Sequence, residues 1–333
     1  MNYPFLQGNK AEIEQMTAVL RDLSKCETGK RLIDEAIEHQ TTICFDGAMR
    51  AYGSYDEVKN VLRLNPSSSK DRLVATAAHE LRHAEQFQKG ILLDALLDTP
   101  KSYLQNQAVI EADASTTATL ACYELAMKGN AKPLETLREK DPHIVNPFQN
   151  AAVQGGLENG EAQRAAFKGW FTDYSTRDCY DSLYLKMYEQ RLRNASYAEQ
   201  DKSLLREVPV EKTVAAVCSM SDGKPYLSEK ETKEFFSDPD RSTVSYSSFE
   251  KTYMYLFRRF RLDYSLEAEG NMKKFGLTMR PSSSYMPRSV VPEPLPLPTS
   301  VEARQAAAAE KIAAARASSV AARNKKLISN RER

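Results

Sequence analysis

The chain has 333 residues, a formal net charge of +1, 41% hydrophobic and 27% charged residues, and a mean hydropathy of −0.54. Charge this close to balance gives no general electrostatic attraction to nucleic acid. No apolar run approaches the roughly 20 residues of a membrane span, and the start Met1-Asn-Tyr-Pro-Phe5 lacks the basic and apolar regions of a secretory signal. Cys26, Cys44, Cys122, Cys179 and Cys218 are odd in number, widely spread and free of Cys-x-x-Cys pairing, so they read as buried thiols rather than a disulfide framework. The default expectation is a protein of the cytoplasm, with signal-independent export a route left open and with length enough for two domains.

In chain order, Ile13, Met16, Leu20 and Leu23 mark an amphipathic helix, and Leu32, Ile33, Ala36 and Ile37 a second. Residues 40–46 and 59–65 read as two short strands separated by Gly47 and Gly53. In the second, Leu62 and Leu64 share one face, Val61 and Arg63 the other.

Residues 69–90 then form a helix with a serine cap, an acid in the first turn, good helix formers throughout and a terminal glycine. Leu73, Ala77, Leu81 and Ala84 are its apolar stripe. It carries His79-Glu-Leu-Arg-His83. Residues four apart lie on one helix face, so both imidazoles can reach one cation while Glu80 projects beside them. That is the spacing of zinc-dependent hydrolysis, in which a carboxylate takes the proton of an activated water. The bland alternative is two ordinary helix histidines in local charge contacts. Arg82, a charge inside the motif, is expected to point outward.

A catalytic zinc commonly takes a third protein ligand. Glu85 faces away, and Asp94 and Asp98 read as solvated or capping residues in a short amphipathic stretch, 91–97, ended by Pro100. Glu111 stands at the start of a long helix whose neighbouring residues are small, as close approach to the metal helix requires. Glu111 is therefore the chosen ligand. Asp113 is the alternative, or a partner for the far N–H of a histidine.

His79-Glu-x-x-His83 followed by Glu111-Ala-x-Ala114 resembles the gluzincin group of metallopeptidases, and more locally small bacterial metallopeptidase families whose specific function is uncharacterised. The resemblance covers residues 40–128. It implies a zincin-like α+β fold, mainly helical with a small sheet, Zn2+ as cofactor, Glu111 as third ligand and Glu80 as the base in peptide-bond hydrolysis. It also implies that a strand before the metal helix forms a sheet edge accepting extended substrate, for which residues 59–65 are the candidate. A downstream Tyr or His would stabilise the oxyanion, with Tyr174, Tyr180 and His143 as candidates, although His143 reads as a loop residue. The expected partner is a protein or peptide substrate of narrow range.

Further helices are expected over 133–139, 161–171 and 177–193, the last with Tyr180, Tyr184 and Tyr188 as one core-facing stripe. The expected domains are a zincin-like unit at 1–195, a helical extension at 196–280, a proline-rich linker at 281–300 and an Ala/Arg/Lys-rich basic tail helix at 301–333. The aromatic, basic run 253–264 reads as a packed amphipathic helix. The rival to an enzyme is a non-catalytic adaptor that binds through the helical region and this tail.

Overall fold

The computed structural model describes residues 3, 5–91, 93–195, 206–245, 278–286 and 290–297. The run 253–264 and the tail 301–333 lie outside the described residues. What is described is mainly helical with a small mixed sheet, an α+β arrangement.

The chain opens with β1 (Leu6–Gln7), α1 (Lys10–Leu23) and α2 (Glu27–Glu38). Asn9 and Glu12 form a reciprocal capping box that starts α1. Met16, Val19, Leu20 and Leu23 are buried on α1, and Leu32, Ile33 and Ala36 on α2, while Ile13 and Ile37 stand at the exposed margins of their stripes. Then come β2 (Thr42–Phe45), β3 (Gly53–Asp56) and β4 (Val61–Leu64). The sheet order is β1-β2-β4-β3, with β1, β2 and β4 parallel and β3 antiparallel to β4. Leu62 and Leu64 point into the core, as the period-2 pattern requires.

This order corrects the expectation that residues 59–65 form the substrate edge. β4 pairs on both sides, with β2 and with β3, and β3 lies at the edge.

α3 (Lys70–Gln88) starts at Ser69, whose side chain accepts the Arg72 N–H. Its stripe of Leu73, Ala77, Leu81 and Ala84 is buried throughout. α4 (Pro100–Met127) begins eight residues before the alanine-rich run, because Pro100 does not end an element here but opens one. Its ring supplies a helix-compatible φ at a position whose N–H needs no partner, and Thr99 caps the Ser102 N–H. Of the two acids just before it, Asp94 caps Leu96, whereas Asp98 is buried and ion-paired with Arg206.

α3 and α4 pack against each other, with Ala77, Ala78, Ala118 and Ala121 belonging to one apolar core and Ala75, Val109 and Ala112 to another. Small side chains let the two backbones approach closely.

Beyond α4 lie α5 (Lys132–Lys140), α6 (Pro142–Val153), α7 (Glu161–Trp170), α8 (Tyr174–Asn194), α9 (Val210–Val217) and α10 (Glu229–Phe236), with a two-stranded parallel sheet of β5 (Thr243–Ser245) and β6 (Thr278–Arg280). α6 was not legible, and His143 belongs to it rather than to a loop. Pro147 cannot donate to the His143 carbonyl one turn back. Gly169 of α7 passes over that freed oxygen so closely that a Cβ there would stand 2.1 Å from it. Among the described residues, no helix is long and apolar enough to cross a membrane. Cys26, Cys122 and Cys218 are buried as expected, but Cys44 is half-buried and Cys179 exposed.

Candidate metal centre

One turn of α3 separates His79 from His83, so their rings meet edge to face with centroids 4.6 Å apart and their Nε2 atoms 3.0 Å apart. The close α3–α4 contact then brings Glu111 against both, its Oε2 at 3.3 Å from Nε2 of His79 and 3.5 Å from Nε2 of His83. These three atoms form the described cluster suited to holding a metal ion.

Three observations show that the group fits an ion. Zinc ligands at about 2.0–2.1 Å in a tetrahedron lie roughly 3.3 Å from one another, which is the spacing seen here. Oε2 of Glu111 is buried and makes no well-aligned hydrogen bond. Burial alone would push the His83 imidazole down and the Glu111 carboxyl up, yet their facing charges dominate. They raise His83 to about 9 and hold Glu111 well below the usual carboxylate range, so the cluster favours positive charge at its centre.

Glu80 is buried beside this triad. Burial raises its carboxyl above the ordinary value, with the two imidazoles pulling the other way and Glu111 adding to the rise. β3 passes directly over it. A Cβ on Gly53 would lie 2.6 Å from Cγ2 of Thr76 and 2.9 Å from Cγ of Glu80, so only glycine lets the edge strand come this close.

α8 closes the other side. Tyr184, buried, donates its hydroxyl to Oε1 of Glu111. Tyr180 stacks on Tyr184 at 6.2 Å between centroids. Its hydroxyl is raised well above the usual phenol range by burial and then by the nearby charges of Glu111 and Glu80, which places Tyr180 at the same site.

Of the residues singled out from the sequence, His79, Glu80, His83, Glu111 and Tyr180 come together. Tyr174 does not: it lies under the guanidinium groups of Arg177 and Arg280, at 5.3 and 5.7 Å. Six positions along a helix turn a side chain to a different face, whereas four positions keep Tyr184 beside Tyr180. The spacing of Tyr180 and Tyr184 was therefore the available signal for the residue that was missed. His143 is buried, with Nε2 at 4.0 Å from Oδ2 of Asp173, and burial pushes its imidazole down.

Arg82 also departs from expectation. It is only 2% exposed, donating through Nε to Oδ2 of Asp113 at 2.7 Å, to Glu85 at 2.5 Å and to the Val217 carbonyl of α9. Asp113, likewise buried, is not among the three converging ligands and accepts from Arg82, Gln86 and Tyr226 instead.

The comparison with protein families decides the affiliation. The chain belongs to the "Putative metallopeptidase family (DUF6782)". The match spans residues 1–228, and so takes in α1 to α9, the triad, Glu80 and Tyr226. No curated protein and no solved structure matches the chain. Membership of this family and the ligand cluster together point to a metal-dependent hydrolase acting on peptides.

Proposed function

We propose that this family member is a zinc-dependent peptidase of gluzincin type, with a zincin-like arrangement of edge strand, metal helix and glutamate helix. The observation that carries the reading is the convergence of Nε2 of His79, Nε2 of His83 and Oε2 of Glu111 at tetrahedral spacing. Two imidazoles and one carboxylate are a donor set for catalytic zinc. Zinc held by His79, His83 and Glu111 would supply Lewis acidity at this point, making water a stronger acid and a carbonyl carbon a better electrophile.

The protein's own groups supply the rest. An extended peptide adds to β3, the edge strand among the described residues, by backbone pairing, and Gly53 brings that strand against Glu80. Glu80, its carboxyl raised above the ordinary value by burial, takes the proton of the attacking water and returns it to the departing amine. Tyr180 offers a neutral phenolic donor to the oxyanion, while Tyr184 fixes the orientation of Glu111 through Oε1.

Metal analysis and N-terminal profiling of cellular proteins exposed to wild type and to Glu80→Gln test this reading. The expected result is stoichiometric zinc in both proteins, lost on His79→Ala, with new N-termini produced only by wild type. Undiminished cleavage by Glu80→Gln would remove the general base, and absence of zinc from wild type would favour a non-catalytic adaptor.

A further inference from the structure

Gln86 follows His83 by three residues on α3, which sets its side chain beside the imidazole, and it is only 2% exposed. Its Nε2 donates to the Ile110 carbonyl at 3.0 Å and to Oδ2 of Asp113 at 2.7 Å. A carbonyl and a carboxylate both require a donor opposite them. The reversed amide would set oxygen against both, so the amide has one orientation.

Oε1 therefore faces Nδ1 of His83 at 2.9 Å. An amide oxygen only accepts, so Nδ1 must carry the ring proton. With Nδ1 protonated, Nε2 is the nitrogen left to bind a metal on giving up its own proton, and it is the one that faces His79 and Glu111. Asp113 is itself fixed by Nε of Arg82 at 2.7 Å and by the Tyr226 hydroxyl at 2.9 Å.

Resting on the zinc reading above, we propose that Gln86 is a positioning residue that relays the buried Arg82–Asp113–Tyr226 cluster to His83, locking that ligand in the tautomer which presents Nε2 to the ion. This gives the charge inside the His-Glu-x-x-His motif a purpose. Arg82 and its neighbours hold the acid that orients the amide that orients the ligand.

Outer partners of metal-bound histidines are worth about 10–100-fold in metal affinity. The test is competition for zinc against a chromophoric chelator, using wild type, Gln86→Leu and Gln86→Glu, with thermal unfolding recorded for each. Leucine fills the space and accepts nothing; glutamate keeps an acceptor towards Nδ1 but sets a carboxylate against Asp113. The relay predicts that Gln86→Leu weakens zinc binding about 10–100-fold and that Gln86→Glu stays closer to wild type. In 1H–15N spectra of the zinc-loaded protein, the His83 Nδ1–H should exchange slowly in wild type and rapidly in Gln86→Leu.

A merely space-filling role predicts the reverse order of the two variants. Gln86→Leu binding zinc within about twofold of wild type, with Nδ1–H still protected, would overturn the inference while leaving the zinc site standing. Wild type that takes up no zinc would overturn the functional reading itself. Should Gln86→Leu fail to fold, Gln86→Met, longer and adaptable, takes its place with the same expected loss.

Discussion

At the scale of single residues, His79, Glu80 and His83 were legible because their relation is local: once residues 69–90 are a helix, the i, i+4 geometry follows. Glu111 was legible less directly, through the small residues around it, which announce a close helix contact without naming the partner. Arg82 was misread because a charge on a helix is ordinarily solvated. Only the tertiary fold brings Asp113 and the Val217 carbonyl to it, across 31 and 135 positions of sequence.

The same cluster makes a pH prediction through Glu85. Burial opposes ionisation of this carboxyl, but Arg82 and Arg31, with Lys89, hold it down at about 2. A carboxyl depressed in the folded state contributes stability above its unfolded value, near 4.5, and loses that contribution as pH falls towards 2. Glu85→Gln should therefore be less stable than wild type by on the order of 3 kcal/mol at pH 7, with the gap closing below about pH 4. Urea unfolding of both proteins across this range measures it. A gap that stays constant with pH would mean that Glu85 acts through shape rather than charge.

At the scale of elements, the helices with clear apolar stripes were readable and the exceptions have identifiable causes. Pro100 looked like a terminator because proline is tolerated at the first helical position as well as after the last one. α6 was hidden by two prolines, one at its start and one inside. β3 was hidden because Gly-Ser-Tyr-Asp has no apolar alternation: an edge strand over a polar site buries neither face fully.

That strand is where the sheet meets Glu80, and Gly53 is its tightest point. Gly53→Ala would drive a methyl into Thr76 and Glu80, costing about 1–3 kcal/mol in overpacking. With Glu80 as the proposed base, displacing it by about 1 Å would cost on the order of 100-fold in rate. The expected outcome is at least a roughly tenfold fall in kcat/KM, with zinc content retained. Full activity in a folded Gly53→Ala protein would separate β3 from the reacting centre.

At the scale of the whole molecule, segments beyond the family-matched residues 1–228 return to pack on helices within it. Arg280 of β6 reaches Asp178 and Asp181 of α8, the helix that carries Tyr180 and Tyr184. Residues 290–297, expected as a linker, run along α6. There Asn146 donates to the Pro292 carbonyl, Gln149 to the Leu295 carbonyl and Asn150 to the Glu293 carbonyl, while Asn150 also accepts the Leu295 N–H at 2.6 Å. The sequence announced an extended segment through its prolines, but not its seat, since amide side chains on a distant helix carry no mark of what they will hold. Asn150 is the hinge of this attachment, because one side chain satisfies both a donor and an acceptor of the same backbone. Asn150→Ala removes both bonds, at about 0.5–1.5 kcal/mol each. Where opening is fast relative to cleavage, proteolysis follows the population of the open form. Limited proteolysis within residues 290–297 should therefore accelerate about 5–150-fold in Asn150→Ala, while global unfolding shifts little. An unchanged cleavage rate would mean that the segment is held by the packing of Leu297 on the core rather than by the amide ladder.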